Sequence, residues 1–287
     1  MKKYAIFCDS ACDLTKARLD EMKVQSISLS YHFNNLPSDG WRDNSTCDFY
    51  TRMRHGETAK TSAANTNDFL TSFESTLCKG YDILYLGFSS ALSGTYNAAA
   101  RAGQILSIKY PKQKIFTVDT LCASAGIALL LQLVLDKQAE GASIEEARDF
   151  AENTKLNIAH WFTVDDLQYL KQGGRISPSS AFFGNMIGIK PILHVDNYGR
   201  LINTAKVRGR RTSIQTLAEK YKETRDERCG RLIYISHADC LNEAMMLSDS
   251  IGESFSETTR LITDISPVIG AHSGPGTLAI FFVAKTR

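Results

Sequence analysis

Over residues 1–156 the hydrophobic positions fall into short blocks whose spacing switches between two and about three and a half residues. Tyr4–Cys8 is an apolar run closed by Asp9-Ser10, which predicts a buried strand with polar residues at its C-terminal end. Ile27, Leu29, Tyr31 and Phe33 alternate with Ser28, Ser30 and His32, a period-two strand signal. Phe69, Leu70, Phe73 and Leu77 follow Asn67-Asp68 at helical spacing and predict a capped amphipathic helix. Ile83–Phe88 predicts a second buried strand, and Ser93-Gly94-Thr95 opens an alanine-rich helix. Ile115–Val118, closed by Asp119, is a third strand, and an apolar helix follows in Leu121–Leu135. Strands alternating with helices imply a parallel sheet covered on both faces.

From about Asn157 strand signals crowd together: Ile158–Val164, Ile189–Val195, Leu201–Val207, Leu232–Ser236, Arg260–Ile265 and Leu278–Val283. Helices are expected at Arg211–Thr224 and Asn242–Gly252. The fold class read from this pattern is α/β in two domains. Residues 1–156 form an α/β/α parallel-sheet domain, and residues 157–287 form an α/β domain with a mixed sheet.

Composition narrows the function. The 33 Lys and Arg against 31 Asp and Glu are too even for a chain that grips nucleic-acid phosphates, and 43% hydrophobic content excludes disorder. Leu121–Leu135 is short of the roughly 20 residues of a membrane span and reads as a buried helix. The N-terminal stretch lacks the apolar length of a signal peptide. Seven cysteines without a CxxC pair or a metal-ligand set point to a reduced, cytoplasmic chain without a metal. There is no phosphate-binding P-loop and no dinucleotide G-x-G-x-x-G. That absence favours a carrier over a self-sufficient kinase or dehydrogenase.

Ligands of open parallel sheets bind beyond the C-terminal strand ends. Asp9-Ser10, Ser89–Thr95 and Asp119-Thr120 fall at such ends, and Thr61-Ser62 sits in a loop that joins them. Ser93-Gly94-Thr95 offers a hydroxyl and helix N–H groups to an anion, or is a plain serine N-cap. Gly87-Phe88-Ser89-Ser90-Ala91 is one residue off the G-x-S-x-G nucleophile elbow. Ser89, Asp119 and His272 follow in hydrolase order, which makes a serine hydrolase the alternative reading. The helix opens near Ser93, however, so the sharp strand-to-helix turn is missing. Gly270–Thr277 is a glycine-rich close-approach loop carrying His272. Arg175 follows two glycines, and Lys206–Arg211 is a small basic cluster containing Arg208.

These pieces together resemble the DegV family, bacterial fatty-acid-binding proteins that include the binding subunit of fatty-acid kinase. The resemblance lies in Asp9–Leu14, Lys60-Thr61-Ser62, Leu92–Tyr96, Leu167–Ser177, Ile189–Leu193, Lys206-Val207-Arg208 and His272–Thr277, in family order along almost the whole chain. Ala11, Lys60 and Ala63-Ala64 depart from the family's usual residues. The resemblance implies a long-chain fatty acid in a buried apolar tunnel, with Thr61, Ser62, Ser93, Gly94, Thr95 and His272 around its carboxylate. Arg175, Lys206 and Arg208 would meet a partner or phosphate. The partner it implies is a separate kinase with a dihydroxyacetone-kinase-like domain, which makes an acyl-phosphate for phospholipid synthesis. This protein would itself be no enzyme, need no cofactor and act as a monomer. Tunnel lining is expected along Leu121–Leu135 and in Ala181–Ile187.

Overall fold

The computed structural model describes residues 3–33, 36–39, 46–176, 188–229 and 231–287. The first half runs β1 (Tyr4–Asp9), a 3-10 turn (Ser10–Cys12), α1 (Lys16–Glu21), β2 (Gln25–Ile27), β3 (Ser30–Phe33), β4 (Leu36–Asp39) and α2 (Thr46–Arg54). It continues with β5 (Ala59–Ser62), α3 (Thr66–Leu77), β6 (Asp82–Gly87), α4 (Thr95–Lys109), β7 (Ile115–Asp119), α5 (Ala125–Ala139) and α6 (Ile144–Thr154). The second half holds β8 (Ile158–Thr163), α7 (Gln168–Gln172), β9 (Ile189–Val195), β10 (Leu201–Arg208), α8 (Arg210–Thr224) and β11 (Leu232–His237). It closes with α9 (Leu241–Ser254), β12 (Thr259–Asp264), α10 (Pro267–Ser273) and β13 (Leu278–Val283).

A four-stranded parallel sheet has the order β2-β1-β6-β7, and a six-stranded mixed sheet has the order β10-β9-β8-β13-β11-β12. The α/β class and the parallel-then-mixed sheet order expected from the sequence are the ones observed. Strand alternation assigns the faces of the parallel sheet. Phe7, Ile83 and Tyr85 pack with Phe69 and Phe73 of α3 and with Ala99 and Ala102 of α4. Ile6, Cys8, Leu84 and Leu86 pack on the other side with α5. The same core cluster continues through α5 to Ile158, Phe162 and Phe281 of the mixed sheet. Residues 125–131 of α5 are therefore buried on all sides, because they fill the layer between two sheets. Among the described residues no helix is long and apolar enough to cross a membrane.

The structure corrects several expectations. The run from Ile27 to Phe33 is not one strand. Leu29 donates its N–H to Ser10 Oγ at 2.9 Å, which breaks the ladder there. β2 pairs with β1, whereas β3 joins a third, antiparallel sheet of order β4-β3-β5. Helix α3 starts earlier than Asn67-Asp68 suggests, because Asn65 and Asp68 form a reciprocal capping box. Helix α5 begins at Ala125, because Leu121 and Ser124 take positive φ values of 53° and 56°. His272 lies in the last turn of α10 and not in a loop.

Candidate functional site

A cavity opens where α5 begins, enclosing about 890 Å³ when the open solvent at its mouth is counted, and its walls come from the mixed sheet, from β5 of the third sheet and from segments that leave the parallel sheet. Phe88 follows β6, Phe162 and Phe281 come from the mixed sheet, Val268 and Ile269 come from α10, and Leu29 lies between β2 and β3. The walls are mostly apolar, which suits a hydrocarbon tail.

One part of the wall is polar, and its groups touch in sequence. Thr61 on β5 points inward, and its Oγ1 lies 2.7 Å from His272 Nε2. His272 packs so closely on Gly173, after α7, that a Cβ there would stand 2.3 Å from Nδ1. The Arg175 guanidinium bonds Gly173 O, and its Nε donates to Leu92 O at 3.1 Å. Ser93 and Gly94 follow and also line the cavity. Gly94 is the N-cap of α4, so the positive end of that helix dipole faces the same space. Ser93 Oγ accepts from Thr95 N at 3.2 Å and lies 2.9 Å from Thr95 Oγ1.

Burial first, and then the Arg175 charge, push the His272 imidazole down to about 4, so it is neutral at pH 7. His160, in the apolar wall, is also held neutral by burial, and it is fully engaged with Ala123 N–H and Ile158 O. Arg175 is therefore the only ionised lining side chain among the described residues. One cation, two hydroxyls and a helix N-terminus around one end of an apolar cavity match a single carboxylate.

Thr61, Ser93, Gly94, Arg175 and His272 are thus brought together. The other candidates are not. Ser62 is exposed, because it follows Thr61 on a strand and points to the opposite side. Thr95 is buried beneath Ser93 and does not line the cavity. Lys206 and Arg208 are exposed on β10, an edge strand, away from the cavity wall. Only the approach to α5, through Ala123 and Ser124, lines the cavity; Cys122, residues 127–131 and Val134 are core, and Ala181–Ile187 lies outside the described residues. Asp9-Ser10 does not line the cavity either. Sequence reading missed the apolar wall of α10, whose signal was the run Pro267-Val268-Ile269 before the glycine-rich segment.

The hydrolase arrangement is not assembled. Ser89 is fully buried and its Oγ donates to Gly199 O at 2.9 Å. Asp119 Oδ1 accepts from Ser90 N and Leu121 N, and His272 Nε2 is engaged with Thr61. Among the described residues no three His, Cys, Asp or Glu side chains form a metal-binding group. All seven cysteines are unpaired thiols.

A family model described as "Uncharacterised protein, DegV family" matches residues 3–285. This chain belongs to the DegV family. A DegV domain-containing protein of Clostridium perfringens is 38% identical over 292 residues, covering 100% of this chain and 99% of that protein. A fatty acid-binding protein of Thermotoga maritima is 32% identical over 282 residues, covering 96% of each. The crystal structure of a DegV lipid-binding protein from Thermotoga maritima matches with a TM-score of 0.85 at 29% identity, over 99% of both chains. The DegV fold, with its parallel and mixed sheets, is the fold described above.

Proposed function

We propose that this DegV-family protein binds a long-chain fatty acid and presents its carboxylate to a separate kinase. The tail lies against Phe88, Phe162, Val268 and Phe281, and the carboxylate meets Thr61, Ser93 and the N-terminus of α4 near Arg175. The observation that carries this reading is the contiguous polar string Thr61–His272–Arg175–Ser93 at one part of an otherwise apolar cavity. Burial of a tail contributes about 0.8 kcal/mol per methylene, whereas a buried carboxylate without donors is costly. The cavity supplies both requirements. The relatives named fatty acid-binding and lipid-binding proteins support the same ligand class.

In this reading residues 1–156 form the domain that supplies Thr61, Ser93 and Gly94, and residues 157–287 form the domain that completes the pocket with Arg175 and His272. The protein acts as a monomer in this reading, and a cavity lined within one chain supports it. Seven free thiols suit a reducing cytoplasm. The chain serves as the lipid-binding subunit and the partner supplies the chemistry. A carboxylate oxygen attacks the γ-phosphorus of ATP held by the kinase, ADP departs, and an acyl-phosphate forms. In this reading Lys206 and Arg208, exposed on β10, meet the kinase surface.

Purification from a bacterial host, organic extraction and mass spectrometry test the ligand. The expected result is about one fatty acid per chain. Protein that carries no lipid and takes up no added oleate would refute the reading. Kinase presentation is tested by trapping acyl-phosphate with hydroxylamine in the presence of ATP and the partner.

A further inference from the structure

The segment Asp9–Asp13 stands at the C-terminal end of β1 but none of its residues lines the cavity. Each of its polar side chains nevertheless holds a cavity wall in place. Asp9 Oδ2 accepts from Phe88 N at 2.9 Å, and Ser10 Oγ accepts from Leu29 N at 2.9 Å. Asp13 reaches furthest. Its Oδ1 accepts from Ser266 N at 2.9 Å, and its Oδ2 is hydrogen-bonded to the Ser124 hydroxyl. Ser124 lines the cavity at the start of α5, and Ser266 is the N-cap of α10, the helix that carries His272.

Asp13 and Ser124 are both non-glycine residues in positive-φ backbone, at 57° and 56°, and both are only 6% exposed. Such backbone persists where surrounding bonds over-determine it. A single carboxyl group therefore joins three pieces of chain far apart in sequence, two of which, the start of α5 and α10, wall the cavity. We propose that Asp13 is a positioning residue for the ligand carboxylate: it fixes Ser124 and the N-terminus of α10, and through that helix sets His272 and Thr61. The proposal rests on the fatty-acid reading of the cavity.

The geometry has a pH consequence. Burial raises the Asp13 carboxyl to about 7; hydrogen bonds from Ser124 and Ser266 oppose the rise, and the nearby Asp264 adds to it. The other ionisable group that faces it is Tyr50, held neutral by burial, with its O–H donated to Ile265 O at 2.8 Å. A fatty-acid carboxylate adds a negative charge to the cavity that Ser124, the hydrogen-bond partner of Asp13, lines. Binding then favours neutral Asp13 and takes up a proton, so affinity falls as pH rises through about 7.

The test is titration of radiolabelled oleate into wild type, Asp13→Asn, Asp13→Ala and Ser124→Ala between about pH 6 and 8.5, with thermal unfolding in parallel. Wild type is expected to weaken several-fold across that range. Asp13→Asn keeps an acceptor for Ser266 and a donor for Ser124 at every pH, and loses this dependence. Asp13→Ala and Ser124→Ala are expected to weaken binding about tenfold. A wild-type pH profile in Asp13→Asn overturns the proposal. Unchanged affinity in folded Asp13→Ala or Ser124→Ala does the same. If Asp13→Ala does not fold, the other two variants decide. Failure of wild type to bind oleate at any pH is a different result: it defeats the fatty-acid reading itself, and the proposal with it.

Discussion

Thr61 Oγ1 on β5 and His272 Nε2 on α10 lie 2.7 Å apart, although 211 residues separate them along the chain. His272 Nδ1 is buried without a partner. We assign the imidazole proton to Nε2, which donates to Thr61 and leaves Nδ1 an empty acceptor. The Thr61 hydroxyl is then free to donate its own proton to a carboxylate. His272 acts behind Thr61 in this arrangement.

Loss of either hydroxyl should weaken fatty-acid binding without unfolding the chain. Thr61→Ala and Ser93→Ala each remove a hydrogen bond to a charged group, worth about 1.5–3 kcal/mol, or roughly ten- to hundredfold in Kd. Isothermal titration with oleate measures the loss. Unchanged affinity in both variants removes the carboxylate assignment.

His272 should also leave a mark on acid stability. Its imidazole is pushed down to about 4 by burial and then by Arg175, against an ordinary value of about 6.5. Between those values the unfolded chain binds a proton that the folded chain refuses. The contribution of neutral His272 is therefore complete above about 6.5 and is lost as pH falls towards about 4. Urea unfolding of wild type and His272→Gln over this range should show a flatter acid limb in the variant. Asp13, whose carboxyl is raised to about 7, works in the opposite direction in both proteins and cancels from the difference.

Gly173→Ala should act on the ligand through His272. A Cβ at this position would stand 2.3 Å from His272 Nδ1 and 3.2 Å from Tyr169 O. The backbone there has φ −70°, so the cost is collision and not conformational strain. Overpacking of this kind costs about 1–3 kcal/mol. Binding should weaken by a similar amount, and combination with Thr61→Ala should be less than additive, because both changes break one contact. Full additivity in a double-mutant cycle would disprove the coupling.

Ser89 should stay unmodified by a fluorophosphonate probe in the folded protein. Its side chain is fully buried, and its hydroxyl is donated to Gly199 O. Gly199 itself, at φ +74°, leaves no room for a Cβ, which would stand 2.2 Å from Ser89 Oγ. Stoichiometric labelling of Ser89 would restore the hydrolase.

Much of the fold was legible because its signals are local. Tyr4–Cys8, Ile83–Phe88 and Ile115–Val118 read as buried strands and form β1, β6 and β7. The six strands and two long helices expected after Asn157 are all present within a residue or two. Periodicity registers one face at a time, however. The alternation from Ile27 to Phe33 continues without a break in the sequence, yet Ser10, seventeen residues before Ile27 in the chain, captures the Leu29 N–H and divides the run between two sheets.

The sequence by itself determined the α/β class, the order of the two large sheets and the hydroxyls of Thr61 and Ser93 as candidates for an anion. These follow from short-range spacing and from residue chemistry. Tertiary structure decided which candidates share a space. Strand alternation turns Thr61 inward and Ser62 outward, Thr95 disappears beneath Ser93, and Lys206 and Arg208 stay on an exposed edge. It also decided that Asp9 and Ser10, which read as ligand-facing from the strand end, hold the cavity walls from behind, as Asp13 does. A hydrogen bond forms between groups that the chain's packing brings within about 3 Å. No local pattern encodes a distance between positions 61 and 272.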